Sequence, residues 1–590
     1  MIDISYNNSL QSIDIAASEE DAGVWPAVSR AIEENARETS VTSSRSLNLP
    51  VWEFLACRKS LSYTFQKYSL EPNVDDQVRN ILVTALEKEG WYKKALIASP
   101  IDHVSLVNIL KQNGFKRSLT PEQLRNIAKL ASLPAGATFS VPGAGKTTEA
   151  LAFYYFRKSL DSRLLVVCPK NAFAAWEEQI LLCIKTPPRV VRLTGGEKSI
   201  EYILRSDPEI MLITYQQLPN VRNILASNLI KSPTFMFLDE SHRIKRGSVG
   251  QWASTVLSIS HLPVAKLIMS GTPLPNSVID LVPQVNFIYP ELSFEATDVK
   301  EIIQPIFVRT TKAELGLPKV QRIYTPINLK PKQRNLYELL RSEDARQLAN
   351  VSSKDRSALR TVGKSVVKLL QLVSNPALLS KDQHKFPEDV FEVFSEGDSA
   401  KIEYACQRAR ELASYGRKTI IWSTFVENVE TIAERLVDIG ADYIHGGVEA
   451  GSDEEEETRE WKIKKFHRDN SSYVLVANPA ACSEAISLHT VCHNAIYVDR
   501  NYNVAQYLQS EDRIHRLGLS RDVITTVEIL YSPDTVDESV KRRLEKKVAQ
   551  MASVLNDKSL TIEPFEPELD TDGLNSEDVD DFFKHLKREK

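Results

Sequence analysis

Two separate blocks of the chain repeat one texture: short apolar runs closed at each end by polar or turn-forming residues. In the first block the runs are Leu164–Cys168, Thr234–Leu238 and Ala265–Met269. In the second they are Lys418–Trp422, Tyr473–Val476, Ala495–Val498 and Val523–Leu530. A strand with one wet face alternates apolar and polar residues, whereas a strand covered on both faces reads as a continuous apolar run. Helices must supply that double cover, so each block predicts a parallel sheet flanked by helices. A stretch rich in helix formers, from Leu329 to about Ser380, separates the blocks. The expected fold class is α/β, with two parallel-sheet lobes and helical insertions.

A chain of 590 residues is too long for a single core. The texture divides it into an N-terminal accessory unit, mainly helical, at 1–116 and a first lobe at 117–325 with a helical insertion near 277–325. A helical linker follows at 326–398, then a second lobe at 399–556 and an acidic tail at 557–590. The first stretch, to about residue 45, is polar, with a Ser/Thr/Arg patch that reads as a loop or loosely ordered arm. Val74–Glu89 has helical spacing, with Asp75 or Asp76 placed to cap it. A further short helix is expected around Val579–Lys587.

No apolar run approaches the roughly 18 residues of a membrane span, and the N-terminus lacks the pattern of a secretory signal. The cysteines at 57, 168, 183, 406, 482 and 492 form no C-x-x-C pair, which favours free buried thiols in a reducing compartment over disulfides or zinc. The net charge of −5 says little. Nine acidic residues fall in Glu563–Asp581, a run with no basic residue, so the remainder is weakly positive. The expected location is cytoplasmic if the source is bacterial and nuclear if it is eukaryotic, without membrane attachment.

Ser140–Thr148 reads S-V-P-G-A-G-K-T-T, after an apolar approach (Ala137–Phe139) and before a helical run (Glu149–Phe156). A loop of this kind points successive backbone N–H groups at phosphate oxygens. Pro142, Gly143, Ala144, Gly145, Lys146, Thr147 and Thr148 are the candidate cradle, with Lys146 on the β/γ-phosphates and the Thr147 hydroxyl on Mg²⁺. A Walker pattern wants glycine where Ser140 stands, and taken alone the string is also compatible with a plain Gly-rich turn. The run Thr234–Leu238 then leads directly into Asp239-Glu240-Ser241-His242. An apolar strand ending in paired carboxylates, in this order behind a phosphate loop, suits Asp239 for holding Mg²⁺ and Glu240 for orienting and deprotonating the attacking water. Hydrolysis of ATP with Mg²⁺ is the expectation.

Asp239-Glu-Ser-His-Arg-Ile-Lys245 resembles the D-E-x-H-R-I-K signature of Swi/Snf-type (Snf-two family) ATPases and DNA translocases of helicase superfamily two. Other segments match in the family's order. Leu119–Gln123 resembles its adenine-reading segment, with Gln123 at the glutamine, and Pro169–Trp176 its P-x6-W block beside DNA. Ile213-Thr214-Tyr215 resembles a further DNA-facing block, and Ser270–Asn276 the coupling motif. Phe307–Lys312 with Leu317–Lys319 behind it resembles the passage to the second lobe, and Val373–Pro376 a short turn. Ser399–Lys401, Ile420–Phe425 and Gln509–Gly518 match second-lobe motifs.

The resemblance covers about residues 119 to 550 and implies two RecA-like lobes moving on double-stranded DNA. It implies coupling roles for His242, Ser270 and Thr272, and nucleic-acid contacts at Pro169, Lys170, Asn171, Thr214, Tyr215, Ser423, Thr424 and Ser483. It also implies a nucleotide contact at Gln509 and arginine fingers at Arg513 and Arg516. Residues three apart share a helix face, so both arginines are expected on one face, reaching one γ-phosphate.

Three stretches depart from the family pattern. Ala481–Leu488 has small residues where the family has glycines, Asp499–Val504 lacks the family's Trp-Asn-Pro, and Leu519 replaces a glutamine. A strand-separating DNA or RNA helicase and a low-turnover ATP-gated scaffold remain as alternatives. A bacterial repair or anti-phage setting, with a nuclease or other partner, is the expected context.

Overall fold

The computed structural model describes residues 2–10, 12–34, 40–318, 320–348, 356–382, 393–449, 454–482, 487–500, 504–516, 518–520, 522–557 and 560. The chain forms two compact units, Met1–Thr311 and Lys312–Lys590.

In the N-terminal part of the first unit, five strands form one sheet. They are β1 (Ile2–Asn7), β2 (Ser12–Ala17), β3 (Ser40–Ser43), β4 (Ser46–Pro50) and β5 (Asn73–Val74), in the order β3-β4-β2-β1-β5. The polar opening stretch is therefore folded, contrary to the arm expected there. Its signal is period-two alternation: Ile2, Ile4, Ile13 and Ile15 all face the core, and the residues between them are too polar to register as a hydrophobic segment. The rest of this region is helical, as expected. Helix Asp76–Ile97 starts where the spacing placed it, and the Asp75 carboxylate accepts the Val78 N–H at 2.7 Å. The module packs on the lobe that follows: the Tyr92 hydroxyl donates to the Ile302 carbonyl at 3.0 Å, and its ring meets Tyr289 edge-on at 5.5 Å.

The first lobe is a seven-stranded parallel sheet. Its strands are β6 (Ala135–Thr138), β7 (Arg163–Val167), β8 (Val190–Arg192), β9 (Ile210–Ile213), β10 (Thr234–Asp239), β11 (Ala265–Met269) and β12 (Phe307–Val308), ordered β12-β6-β11-β10-β7-β9-β8. β11 is buried along its whole length and β10 up to Leu238, the reason their sequences show no alternation. Aromatic side chains thicken the layer between sheet and helices. Tyr154 and Phe235, for example, meet edge-on at 5.1 Å.

The second unit holds a six-stranded parallel sheet: β13 (Gln321–Pro326), β14 (Thr419–Trp422), β15 (Asp442–Ile444), β16 (Val474–Ala477), β17 (Asn494–Tyr497) and β18 (Thr526–Tyr531), ordered β13-β18-β17-β14-β16-β15. Helices Pro331–Leu348 and Arg356–Ser374 precede β14, in the stretch expected to be helical. The expected boundary at 325 moves. The unit changes after Thr311, and β13 pairs with β18, so residues 312–326 belong to the second unit. β13 is only half-buried, and its mixed sequence QRIYTP carries no continuous apolar run by which to recognise a strand. Cys57, Cys168, Cys183, Cys406 and Cys492 are buried free thiols. No helix among the described residues is long and apolar enough to cross a membrane.

Candidate nucleotide site and its supports

Strand order brings three loops together at the carboxyl edge of the first sheet. β11 lies between β6 and β10, so the turn after it separates the loop after β6 from the carboxylates after β10. The turn touches both neighbours. A Cβ on Gly271 would come within 2.9 Å of Pro142 Cδ, and His242 Nδ1 lies 3.0 Å from Ser270 Oγ.

The loop after β6 has the backbone its glycines allow. Gly143 and Gly145 stand at φ 86° and 87°, where a side chain would be strained. At Gly145 a Cβ would also lie 2.3 Å from Gln123 Nε2. Gln123 is placed by its own helix: with Thr120 it forms a reciprocal capping box, and its Nε2 donates to the Ala144 carbonyl at 3.1 Å. Lys146 opens helix Lys146–Arg157 and donates to the Ser140 carbonyl at 3.0 Å. Ser140, the departure from the Walker pattern, has a structural use. Its buried hydroxyl accepts the Thr310 N–H at 3.0 Å, tying the loop to the strand beside it.

Glu149 lies in the first turns of the same helix, fully buried. Asn126 donates to one oxygen at 2.7 Å and Thr138 to the other at 2.6 Å, while Asn126 also donates to Thr310 Oγ1 at 2.9 Å. Burial outweighs these bonds and the nearby Lys146 charge, pushing the carboxyl up to about 7.

Asp239 ends β10 and is held from three sides. Its Oδ2 accepts the Trp176 indole N–H at 3.0 Å, its Oδ1 accepts the Glu240 N–H at 3.0 Å, and its carbonyl accepts the Tyr215 hydroxyl at 2.8 Å. Burial raises its carboxyl above the usual range, opposed by the Trp176 bond and the charge of Lys146. Glu240 sits in the left-handed region at φ 50°, a strained conformation for a residue with a side chain. His242 Nδ1 is 3.4 Å from Glu240 Oε2. Burial, then the charges of Lys245, Arg243 and Lys146, hold the imidazole well below its ordinary pKa, so this contact joins a neutral ring to a carboxylate. Ser270 Oγ, facing that ring, accepts the Thr272 N–H at 3.1 Å.

The arrangement suits a nucleoside triphosphate with a magnesium ion. The loop carries two glycines in the left-handed region, an ammonium group stands beside it, and each Asp239 oxygen accepts one bond and retains a lone pair for a metal or its water. Thr147, half-buried beside Lys146, offers its hydroxyl.

Several expected residues are placed differently. Tyr215, expected to face DNA, is fully buried with its hydroxyl on the Asp239 carbonyl. Trp176, the end of the P-x6-W block, is 1% exposed and its indole N–H holds the Asp239 carboxylate. Of Pro169, Lys170 and Asn171, only Lys170 is exposed. Thr214 Oγ1 accepts the Gln217 N–H at 3.1 Å.

In the second unit, Ser423 is buried and donates to Asp499 Oδ2 at 2.6 Å. Thr424 donates to Oδ1 through both its N–H (2.7 Å) and its hydroxyl (2.6 Å). Asp499 also receives Ser374 Oγ at 2.6 Å, so the carboxylate that begins the altered Asp499–Val504 motif knots three segments together. Gln509 lies on helix Val504–Glu511. That helix ends before Arg513, so Arg513 and Arg516 occupy a turn and the segment after it, not one helix face. Glu511, the last residue of the helix, pairs with Arg322 and Lys312, contacts invisible in local sequence. Ser483, Leu517, the altered positions 501–503 and the expected tail helix lie outside the described residues.

A parallel-sheet lobe with a phosphate loop, an acid pair and a bridging serine turn defines an ATP-hydrolysing lobe of the helicase kind, followed here by a second parallel-sheet lobe. Residues 135–301 match the SNF2-related domain, and residues 400–518 match the helicase conserved C-terminal domain. The chain thus carries an SNF2-related domain and a helicase C-terminal domain, the two parts of a superfamily-two ATPase. It is 24% identical over 450 residues to the chromatin remodeling factor mit1 of Schizosaccharomyces pombe, covering 69% of this chain and 30% of that protein. It is 21% identical over 548 residues to the transcription regulatory protein SNF2 of Saccharomyces cerevisiae, covering 82% of this chain and 31% of that one. Among solved structures, the Sulfolobus solfataricus SWI2/SNF2 ATPase core in complex with dsDNA matches at 21% identity and TM-score 0.33, covering 76% of this chain and 94% of that one. The chain spans between 30% and 46% of the length of the first curated relatives it matches.

Proposed function

We propose that the chain is an ATP-driven motor that moves along double-stranded DNA. The observation that carries this reading is the cluster of phosphate loop, Asp239–Glu240 and Ser270 turn on one sheet edge, in a chain that also matches the helicase C-terminal domain. Lys146 binds the β- and γ-phosphates, and Gln123 braces the loop on the adenine side. Thr147 and Asp239 would hold Mg²⁺, which neutralises phosphate charge when bound. Glu240 orients the attacking water and takes its proton. Arg513 and Arg516 stabilise charge that develops on the transferred phosphoryl group, and Gln509 contacts the nucleotide. His242, Ser270 and Thr272 pass the state of the acid pair to the neighbouring loop. Lys170, Asn171, Thr214 and Thr424 face DNA, giving weak sequence preference and strong salt dependence.

ATP turnover measured with duplex DNA, single-stranded DNA and RNA tests the reading, which expects the largest stimulation from duplex. Triplex displacement without fork unwinding would separate translocation from strand separation. Equal stimulation by RNA would overturn the assignment to DNA. A second reading, action on DNA packed in chromatin, is favoured by the names of relatives such as mit1, and nucleosome sliding by the isolated chain tests it. A bacterial repair or defence setting, with a nuclease partner in a cytoplasmic complex, is the alternative context, and partner capture in the source cell distinguishes the two.

A further inference from the structure

The segment that leaves the first unit is bonded to β6 and the phosphate loop through Phe307, Val308, Arg309 and Thr310. β12 pairs with β6 through Phe307 and Val308, and beyond it the Val141 N–H donates to the Thr310 carbonyl at 3.0 Å while the Thr310 N–H donates to Ser140 Oγ. Arg309 donates to the Phe139 carbonyl, and its own carbonyl accepts Arg125 at 2.8 Å. Two residues past Thr310, the same segment is fixed to the turn that carries the arginines. Lys312 Nζ lies 2.6 Å from Asp512 Oδ1 and 3.6 Å from Glu511 Oε1. Arg322 grips Glu511 with a fork, at 2.7 Å through Nη2 and 3.1 Å through Nε. His515 Nε2 donates to the Pro318 carbonyl at 2.7 Å. Thr311 lies between the two sets of bonds.

Glu511 is the hub of the second set. Its side chain is fully buried, and its backbone carbonyl accepts the Ile514 and His515 N–H groups, both at 3.1 Å, so the residue that holds the segment also shapes the turn after the helix. Burial alone would raise its carboxyl, but Arg322 and Lys312 outweigh that and bring it to about 2. The clamp is ionised throughout the working pH range. A bidentate guanidinium–carboxylate pair also fixes orientation, which a single contact would not.

We propose that the chain from Val308 to Lys312 is a coupling segment and that Glu511, with Lys312 and Arg322, acts as a positioning clamp tying the Arg513–Arg516 turn to the segment that leaves the phosphate loop. Displacement of the loop on nucleotide binding is then passed to the turn along two peptide bonds, from Thr310 to Lys312. The proposal rests on the reading of Arg513 and Arg516 as groups that act on the γ-phosphate.

The test lengthens the segment without touching either set of bonds, by inserting Gly-Ser-Gly-Ser between Thr311 and Lys312. The insertion variant, Glu511→Asp, Arg516→Ala and the combinations of Arg516→Ala with each are compared in the full chain. ATP affinity, kcat with saturating duplex DNA and thermal unfolding are measured. The insertion is expected to leave ATP affinity within about twofold and unfolding unchanged, and to lower kcat at least about tenfold. Arg516→Ala should then cost far less in the insertion background than alone, because the two changes remove one function. Glu511→Asp, which keeps the charge and loses the fork, should behave likewise, and if it does not fold the insertion carries the test. An insertion variant with kcat within twofold of wild type, while Arg516→Ala alone is impaired, overturns the coupling. Unimpaired Arg516→Ala overturns the reading of the arginines, and the clamp with it.

Discussion

Replacing Trp176 with Phe isolates one bond at the acid pair. The indole N–H reaches Asp239 Oδ2 at 3.0 Å from a side chain that is 1% exposed, so no water takes its place when it is removed. A hydrogen bond to a charged acceptor in such a setting contributes about 1.5–3 kcal/mol. If Asp239 needs that bond to face the metal, the same energy appears in the barrier as a roughly ten- to hundredfold fall in kcat. Phe retains most of the packing, so the unfolding free energy should fall by only about 1–3 kcal/mol. Losing the N–H also removes one of the influences that oppose burial, so the Asp239 carboxyl moves further above its usual range. The acid limb of the pH–rate profile therefore shifts to higher pH. Steady-state ATP hydrolysis with saturating duplex DNA, run from acid to neutral pH beside urea unfolding, reads all three quantities. A variant that loses stability but keeps kcat within twofold and its pH profile in place would make Trp176 a packing residue only, and the reasoning would fail.

Glu149→Gln should remove a pH dependence of stability. With its carboxyl near 7 in the folded chain against an ordinary 4.5, the native state retains a proton that the unfolded state has lost. Wild-type stability thus falls as pH rises from about 4.5 to 7, by roughly 3 kcal/mol on the size of the shift, and urea unfolding of the variant should lack that fall. Lys401, buried and 2.6 Å from Asp537, should cost about 3–5 kcal/mol of second-lobe stability when changed to Ala, because Asp537 is left buried and uncompensated. Ser423→Ala should lower unfolding stability by about 1–2 kcal/mol and leave duplex DNA affinity within twofold, since its hydroxyl serves Asp499. A large loss of DNA affinity at unchanged stability would restore Ser423 as a contact.

The parallel strands were legible because burial on both faces leaves a continuous apolar run. β11 was read to the residue, and the strand expected at Thr234–Leu238 extends to Asp239. The phosphate loop and acid pair were legible because their chemistry needs adjacent residues. What escaped depends on distant partners. β1 and β2 alternate over so few residues that their polar positions dominate, and β13 gains its identity from pairing with β18 some two hundred residues on. The same cause hid the partners of Tyr215, Trp176 and Ser423. A motif marks a residue as belonging near a site without saying which way its side chain turns, and here Asp239 and Asp499 take all three. Arg513 and Arg516 were expected on one helix because local spacing favours it, but ion pairs to Glu511 from residues 312 and 322 coincide with the end of that helix.

The motor reading stands most directly on duplex-stimulated ATP hydrolysis by wild type and Glu240→Gln, with ATP binding measured separately. Wild type should show a rate that rises and saturates with duplex DNA. Glu240→Gln should bind ATP as well as wild type, with a rate lower by about a thousandfold and flat across the DNA titration. Equally slow hydrolysis by both proteins at saturating DNA would contradict the account and leave a nucleotide-gated binding protein in its place.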